Sequence, residues 1–172
     1  PVIEIITALL LLAGFFKFGL TFDFLVYFVL APTLVIITVV DIKHQIIPDI
    51  ITLPGLALGL AAGSYSIGYA NSFMGFLLGC GLFNLLAILS NGGMGGGDIK
   101  YIAAAGAFVG RQKILLIIFI GAVLGTFVGL FQIGFQKKTR KNIIPFGPLL
   151  SVATLITLFY GNLLIKLYLD NL

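Results

Sequence analysis

An all-helical membrane bundle is the fold this sequence predicts, and three observations predict it. Of the 172 residues 60% are hydrophobic and only 9% are charged, so most helices built from them are apolar on every face and have no aqueous side to present. Apolar runs recur along the chain at close to the roughly 20 residues that a helix needs to cross a bilayer. No polar stretch is longer than about ten residues, which leaves room for one bundle, a single membrane-embedded domain over residues 1–172, and no separate soluble domain.

Seven apolar segments follow one another, at about 2–20, 24–41, 49–69, 72–90, 98–110, 113–134 and 145–169, by the length a membrane helix needs. The first is preceded by no basic region and followed by no small-residue cleavage site, so it reads as a membrane segment and not as a signal peptide. Pro1 is a poor candidate for a translated start, and the chain reads as an internal piece of a longer protein. The second segment ends on Val39, Val40 and Asp41. Ile47-Pro48-Asp49 restarts the third, because Pro48 stops any continuous helix and Asp49 is placed to cap the next one. The fourth runs into a glycine-rich stretch, Gly92, Gly93, Gly95, Gly96 and Gly97. The fifth is too short to cross alone unless that stretch or the residues near Arg111 extend it, so the count is six or seven. The sixth ends before Lys137, Lys138, Arg140 and Lys141, and the seventh starts at Pro145.

The net charge of +4 comes mostly from that basic cluster and reads as a topological signal, not as a nucleic-acid surface. With alternating segments, Lys43 and Lys100 join the cluster on one side, and Lys17, Arg111, Lys113 and Lys166 fall on the other. The denser side is expected to be cytoplasmic. Asp41 and Asp98 then reach the membrane at the same level, on that side. Cys80 is the one cysteine, which excludes an internal disulfide or a cysteine-cluster metal site; it reads as a small residue among helices. His44, the one histidine, has no second ligand in sequence and reads as solvated loop. Glu4, Asp23 and Asp170 lie near segment ends, where charge costs little.

Charge at membrane depth is expensive, so the two remaining acidic positions in apolar surroundings, Asp41 and Asp98, ask for a function. They stand in near-copies of one motif, Asp41-Ile42-Lys43 and Asp98-Ile99-Lys100. Two neighbouring carboxylates cannot both ionise easily and share a proton, one serving as base and the other as acid. Gly95 and Gly97 leave room for close backbone approach, and a glycine edge beside the acid would accept an extended substrate strand. A phosphate loop is not indicated, since the Gly-Lys-Ser/Thr ending is missing. Lys43 and Lys100 lie two residues beyond each aspartate, on another face of the helix. They would bias the partner aspartate's proton, hold lipid and substrate, or mark the boundary by snorkelling.

Three blocks in order, Asp41-Ile42-Lys43 through Ile47-Pro48-Asp49 with Leu53-Pro54, then Gly95-x-Gly97-Asp98-Ile99-Lys100, then Ile144-Pro145-Phe146-Gly147-Pro148, resemble the bacterial type IV prepilin peptidase family. The resemblance runs from the second segment to the last. It implies an intramembrane aspartic endopeptidase with Asp41 and Asp98 as the catalytic pair, supported by Gly95, Gly97, Lys43, Lys100, Pro48 and Asp49. It further implies prepilins and pseudopilins as substrates, cut after a leader-peptide glycine at the cytoplasmic face of the inner membrane. Longer members carry a cytoplasmic domain with two Cys-x-x-Cys pairs, tied to N-methylation by S-adenosylmethionine; that domain is expected to be absent here. No cofactor is expected for the peptidase reaction, and zinc and S-adenosylmethionine are expected only with that domain. A signal-peptide-peptidase-type protease shares Gly-x-Gly-Asp but lacks a match at the other blocks. A proton-coupled transporter would place its carboxylates nearer the midplane within a matched repeat.

Overall fold

The computed structural model describes residues 1–90, 94–136 and 145–170. Six α-helices account for nearly all of them: α1 (Val2–Phe18), α2 (Phe22–His44), α3 (Asp49–Gly63), α4 (Tyr69–Leu89), α5 (Gly96–Gln136) and α6 (Gly147–Leu169). No strand occurs among the described residues. The basic cluster from Lys137 to Lys141, with Gly92 and Gly93, lies outside them.

Four stretches are long and apolar enough to cross a membrane: Phe22–His44, Asp49–Leu89, Gly96–Gln132 and Gly147–Leu169. Two of these are far longer than one crossing needs, since 37 or 41 residues of straight helix would run about 55–60 Å against a hydrocarbon core of roughly 30 Å. Both break at a glycine. Between α3 and α4 a π-helical turn, Ser64–Gly68, ends at Gly68 with φ 87. Inside α5, Gly110 takes φ 80 and ψ 177, a conformation that only glycine adopts readily. The seven-segment expectation divides the same two stretches at these glycines and keeps α1, of 17 residues, as a segment of its own.

The direction of each helix follows from who touches whom. Ile51 and Gly55 line a cavity with Tyr101, Ala104 and Ala105, and Gly59 meets Ala107 and Phe108, so α3 runs parallel to the first arm of α5. On α4, Gly75 meets Gly106 and Gly110 while Gly79 meets Ile102, so α4 runs antiparallel to it, and α3 and α4 form a hairpin. In the second arm of α5, Gly121 faces Leu150 and Gly125 faces Phe146, and α6 returns antiparallel. Tyr27 of α2 packs on Phe159 and Asp41 on Gly147, which sets α2 antiparallel to α6. The chain therefore alternates between two ends, with Asp41, Asp49, Asp98 and Gly147 at one and the turns at 19–21, 64–68 and 110 at the other.

Small residues let the inner helices approach closely. Every residue from Tyr101 to Gly110 is buried, and this arm of α5, with Ala103, Ala104, Ala105, Gly106 and Ala107, is the axis around which the others pack. A Cβ on Gly75 would stand 2.2 Å from the Gly106 carbonyl oxygen, so the two backbones touch. Helices in lipid gain nothing by hiding leucine from hydrocarbon and gain dispersion energy from such close approach. Large apolar side chains lie on both sides: Leu34, Phe83, Ile102, Ile117 and Leu150 are buried, whereas Ile50, Ile88 and Phe127 face outward. The axial position also accounts for the short fifth segment: an arm enclosed by other helices need not match the bilayer thickness.

Candidate active site

Asp41 sits in the last turn of α2 and is buried, with 5% of its surface exposed. The helix ends three residues later because Gln45 turns left-handed, φ 54, and donates its amide to the Asp41 carbonyl. Residues 45–48 then cross to Pro48, which takes an extended conformation and caps α3. Asp98 is half-buried in the first turn of α5, and its amide donates to the Gly95 carbonyl at 3.1 Å. One helix ends and another begins at the same level, and the two carboxylates line the same cavity. A cavity of about 190 Å³ lies between them, lined by Asp41, Gln45, Ile46, Ile47, Gly95, Gly96, Gly97 and Asp98.

Backbone holds the Asp41 carboxylate. The Gly147 amide, at the start of α6, donates to Asp41 Oδ2 at 2.8 Å. That contact needs glycine, because a Cβ at 147 would stand 2.8 Å from Oδ2 and 3.1 Å from the Asp41 Cβ. On the other side, a Cβ on Gly95 would come within 3.2 Å of Asp98 Oδ2. No salt bridge reaches either aspartate among the described residues. Such an arrangement positions two carboxyl groups for proton exchange with a molecule held between them.

The supporting residues divide. Gly97 is where the chain crossing from α2 presses in: a Cβ there would meet Ile47 at 2.9 Å. Gly96 and Gly97 belong to the first turn of α5, so the glycine edge beside Asp98 is a helix start, whose leading amides have no partner within the helix. Asp49 does not cap α3. Pro48 is the cap residue, and the Asp49 carboxylate takes both oxygens to Lys100 Nζ at 2.7 Å. Lys100 thereby ties the start of α3 to the start of α5. Lys43 is exposed and forms no ion pair among the described residues. Gly147 was not singled out from sequence, although Gly147-Pro148 at the head of an apolar run is a helix-start signal.

A family model described as the type IV leader peptidase family matches residues 28–130, which contain both aspartates. The chain is similar to proteins named prepilin leader peptidase/N-methyltransferase: one from Aeromonas hydrophila at 33% identity over 99% of this chain and 61% of that protein, one from Legionella pneumophila at 31% over 98% and 61%, and one from Bacillus subtilis at 28% over 98% and 68%. The chain thus spans about three fifths of the length of the first two. No solved structure matches it.

Proposed function

The chain belongs to the type IV leader peptidase family, and from that premise we propose that it is an intramembrane aspartic endopeptidase that removes the leader peptides of prepilins and pseudopilins. The observation that carries the reading is the convergence of Asp41 and Asp98 on one cavity from helices of opposite direction. The carboxylates act as a dyad sharing one proton. The ionised member takes a proton from water as the water oxygen attacks the scissile carbonyl, and the protonated member donates to the carbonyl oxygen. When the tetrahedral intermediate collapses, the carbon–nitrogen bond breaks and the amine leaves with a proton from the dyad. No covalent enzyme intermediate and no cofactor enter these steps.

The aspartate end is proposed to face the cytoplasm, in the inner membrane of a bacterium. The leader stays on the aqueous side and the substrate's apolar segment lies against the bundle, which accounts for a catalyst built in lipid. Zinc does not fit the described residues, which include no group of three or more His, Cys, Asp or Glu able to share a metal. The test is incubation of the detergent-purified chain with a prepilin carrying its leader, read by mass spectrometry. Cleavage is expected, with a rate that is bell-shaped in pH because one carboxyl must be ionised and the other protonated. With S-adenosylmethionine supplied, the new N-terminus is expected to remain unmethylated.

A further inference from the structure

At the end of the bundle remote from the aspartates are two larger cavities that the proposed chemistry does not use. One, of about 510 Å³, lies between the end of α1, the start of α2, the π-helical turn and α6, and includes Lys17, Asp23, Ser66 and Lys113. The other, of about 430 Å³, includes Lys113, Lys166 and Asp170. Lys113 lines both, so the two form one vestibule with a lysine in its dividing wall. That lysine is built in. It is half-buried, and its stem lies along α6 where Gly161 leaves room, with Cγ 3.7 Å from where a Cβ would be.

Three lysines and two aspartates line this vestibule, an excess of one positive charge. None of the three lysines makes a salt bridge among the described residues, and the Asp23 carboxylate already accepts the Ser66 hydroxyl at 2.7 Å. The remaining wall mixes the two kinds of group, with Phe18, Leu158 and Leu163 as its apolar part and Asn162 as a polar one. The position is the last turn or two of several membrane helices, the level at which lipid headgroups lie. A single negative charge joined to an apolar body is what complements such a wall.

We propose that this vestibule binds the phosphodiester head of a phospholipid, with the phosphate on Lys113 and Lys17 and the acyl chains running down the apolar wall. The site is independent of the peptidase reading. The test is thermal unfolding of the detergent-purified chain titrated with dihexanoyl phosphatidylglycerol, dihexanoylglycerol or inorganic phosphate. Phosphatidylglycerol is expected to raise the midpoint saturably, and the other two to leave it unchanged at equal concentration. Lys113→Gln should weaken the apparent affinity by about tenfold or more, as loss of a charge-assisted contact does, and Lys113→Arg should restore it to within about threefold. Should Lys113→Gln fail to fold, Lys17→Gln, at an exposed position, is expected to weaken binding by about threefold. Equal stabilisation by dihexanoylglycerol or by inorganic phosphate, or a Lys113→Gln or Lys17→Gln titration that matches the unsubstituted chain, would overturn the proposal.

Discussion

Asp41-Ile42-Lys43 and Asp98-Ile99-Lys100 carry the same three residues to opposite ends of a helix, and the structure uses them differently. The first triplet closes α2, the second opens α5. Asp41 is buried and takes its hydrogen bond from a helix far along the chain; Asp98 is half-buried and leans on its own turn at Gly95. Lys43 stands exposed, while Lys100 is engaged by Asp49. What the comparison teaches is that matched triplets need not mean a repeated structure. One end of one helix and the beginning of another, run antiparallel, suffice to bring equivalent side chains to one level.

The largest expected effect treats the two triplets alike. Asp41→Asn and Asp98→Asn are each expected to lower prepilin cleavage by roughly a thousandfold or more, since an amide can neither accept nor donate the proton that general acid–base chemistry moves. Unchanged cleavage in either variant, at matched expression, would sink the dyad. An all-or-none outcome is also expected from membrane-impermeant labelling of introduced cysteines. Gln45→Cys and Ser90→Cys, at the aspartate end, should react from one side only, and Asn71→Cys and Gln112→Cys from the other. If 45 and 90 labelled from opposite sides, the two triplets could not share a level.

Below these come variants that separate the triplets. Gly147→Val should cost about 10- to 100-fold in activity, because a side chain there displaces Asp41, and misplacing a reacting group by an ångström has effects of that order. Gly95→Ala asks Asp98 to give by only a few tenths of an ångström and should cost less; the reverse ranking, with both proteins folded by thermal unfolding, would show that Asp41 does not depend on α6. The smallest effects belong to the lysines. Lys100→Gln and Asp49→Asn are each expected to lower stability by about 0–1 kcal/mol, the usual worth of an exposed ion pair, with activity within about threefold. Lys43→Gln should change neither measurably. A double substitution at 49 and 100 that is no worse than either single one would confirm that the two act only through each other.

Much of this was legible from residues alone. Hydropathy marks the helices because a membrane span must satisfy its own backbone, and the expected starts and stops near Asp41, Pro48 and Pro145 are close to the observed ones. The two aspartates stood out because they are charges in apolar surroundings. That Gly96 and Gly97 open a helix, and that Gly97 is where Ile47 presses in, was not legible from glycine's conformational freedom. Asp49 read as a cap because local rules speak only of its own helix, whereas its partner lies on α5.

The sequence by itself determined the class of protein, the order of its helices and which two carboxylates stand in apolar surroundings, since each of these follows from composition or from residues near one another in the chain. Only the tertiary structure decided which faces meet. A helix that is apolar all round, as most of these are, gives no periodic signal of its inner side, and in lipid the inner side is chosen by where backbones approach most closely. That choice, made at Gly75 against Gly106, at Gly97 against Ile47 and at Gly147 against Asp41, sets α5 at the axis and places a backbone amide on one aspartate.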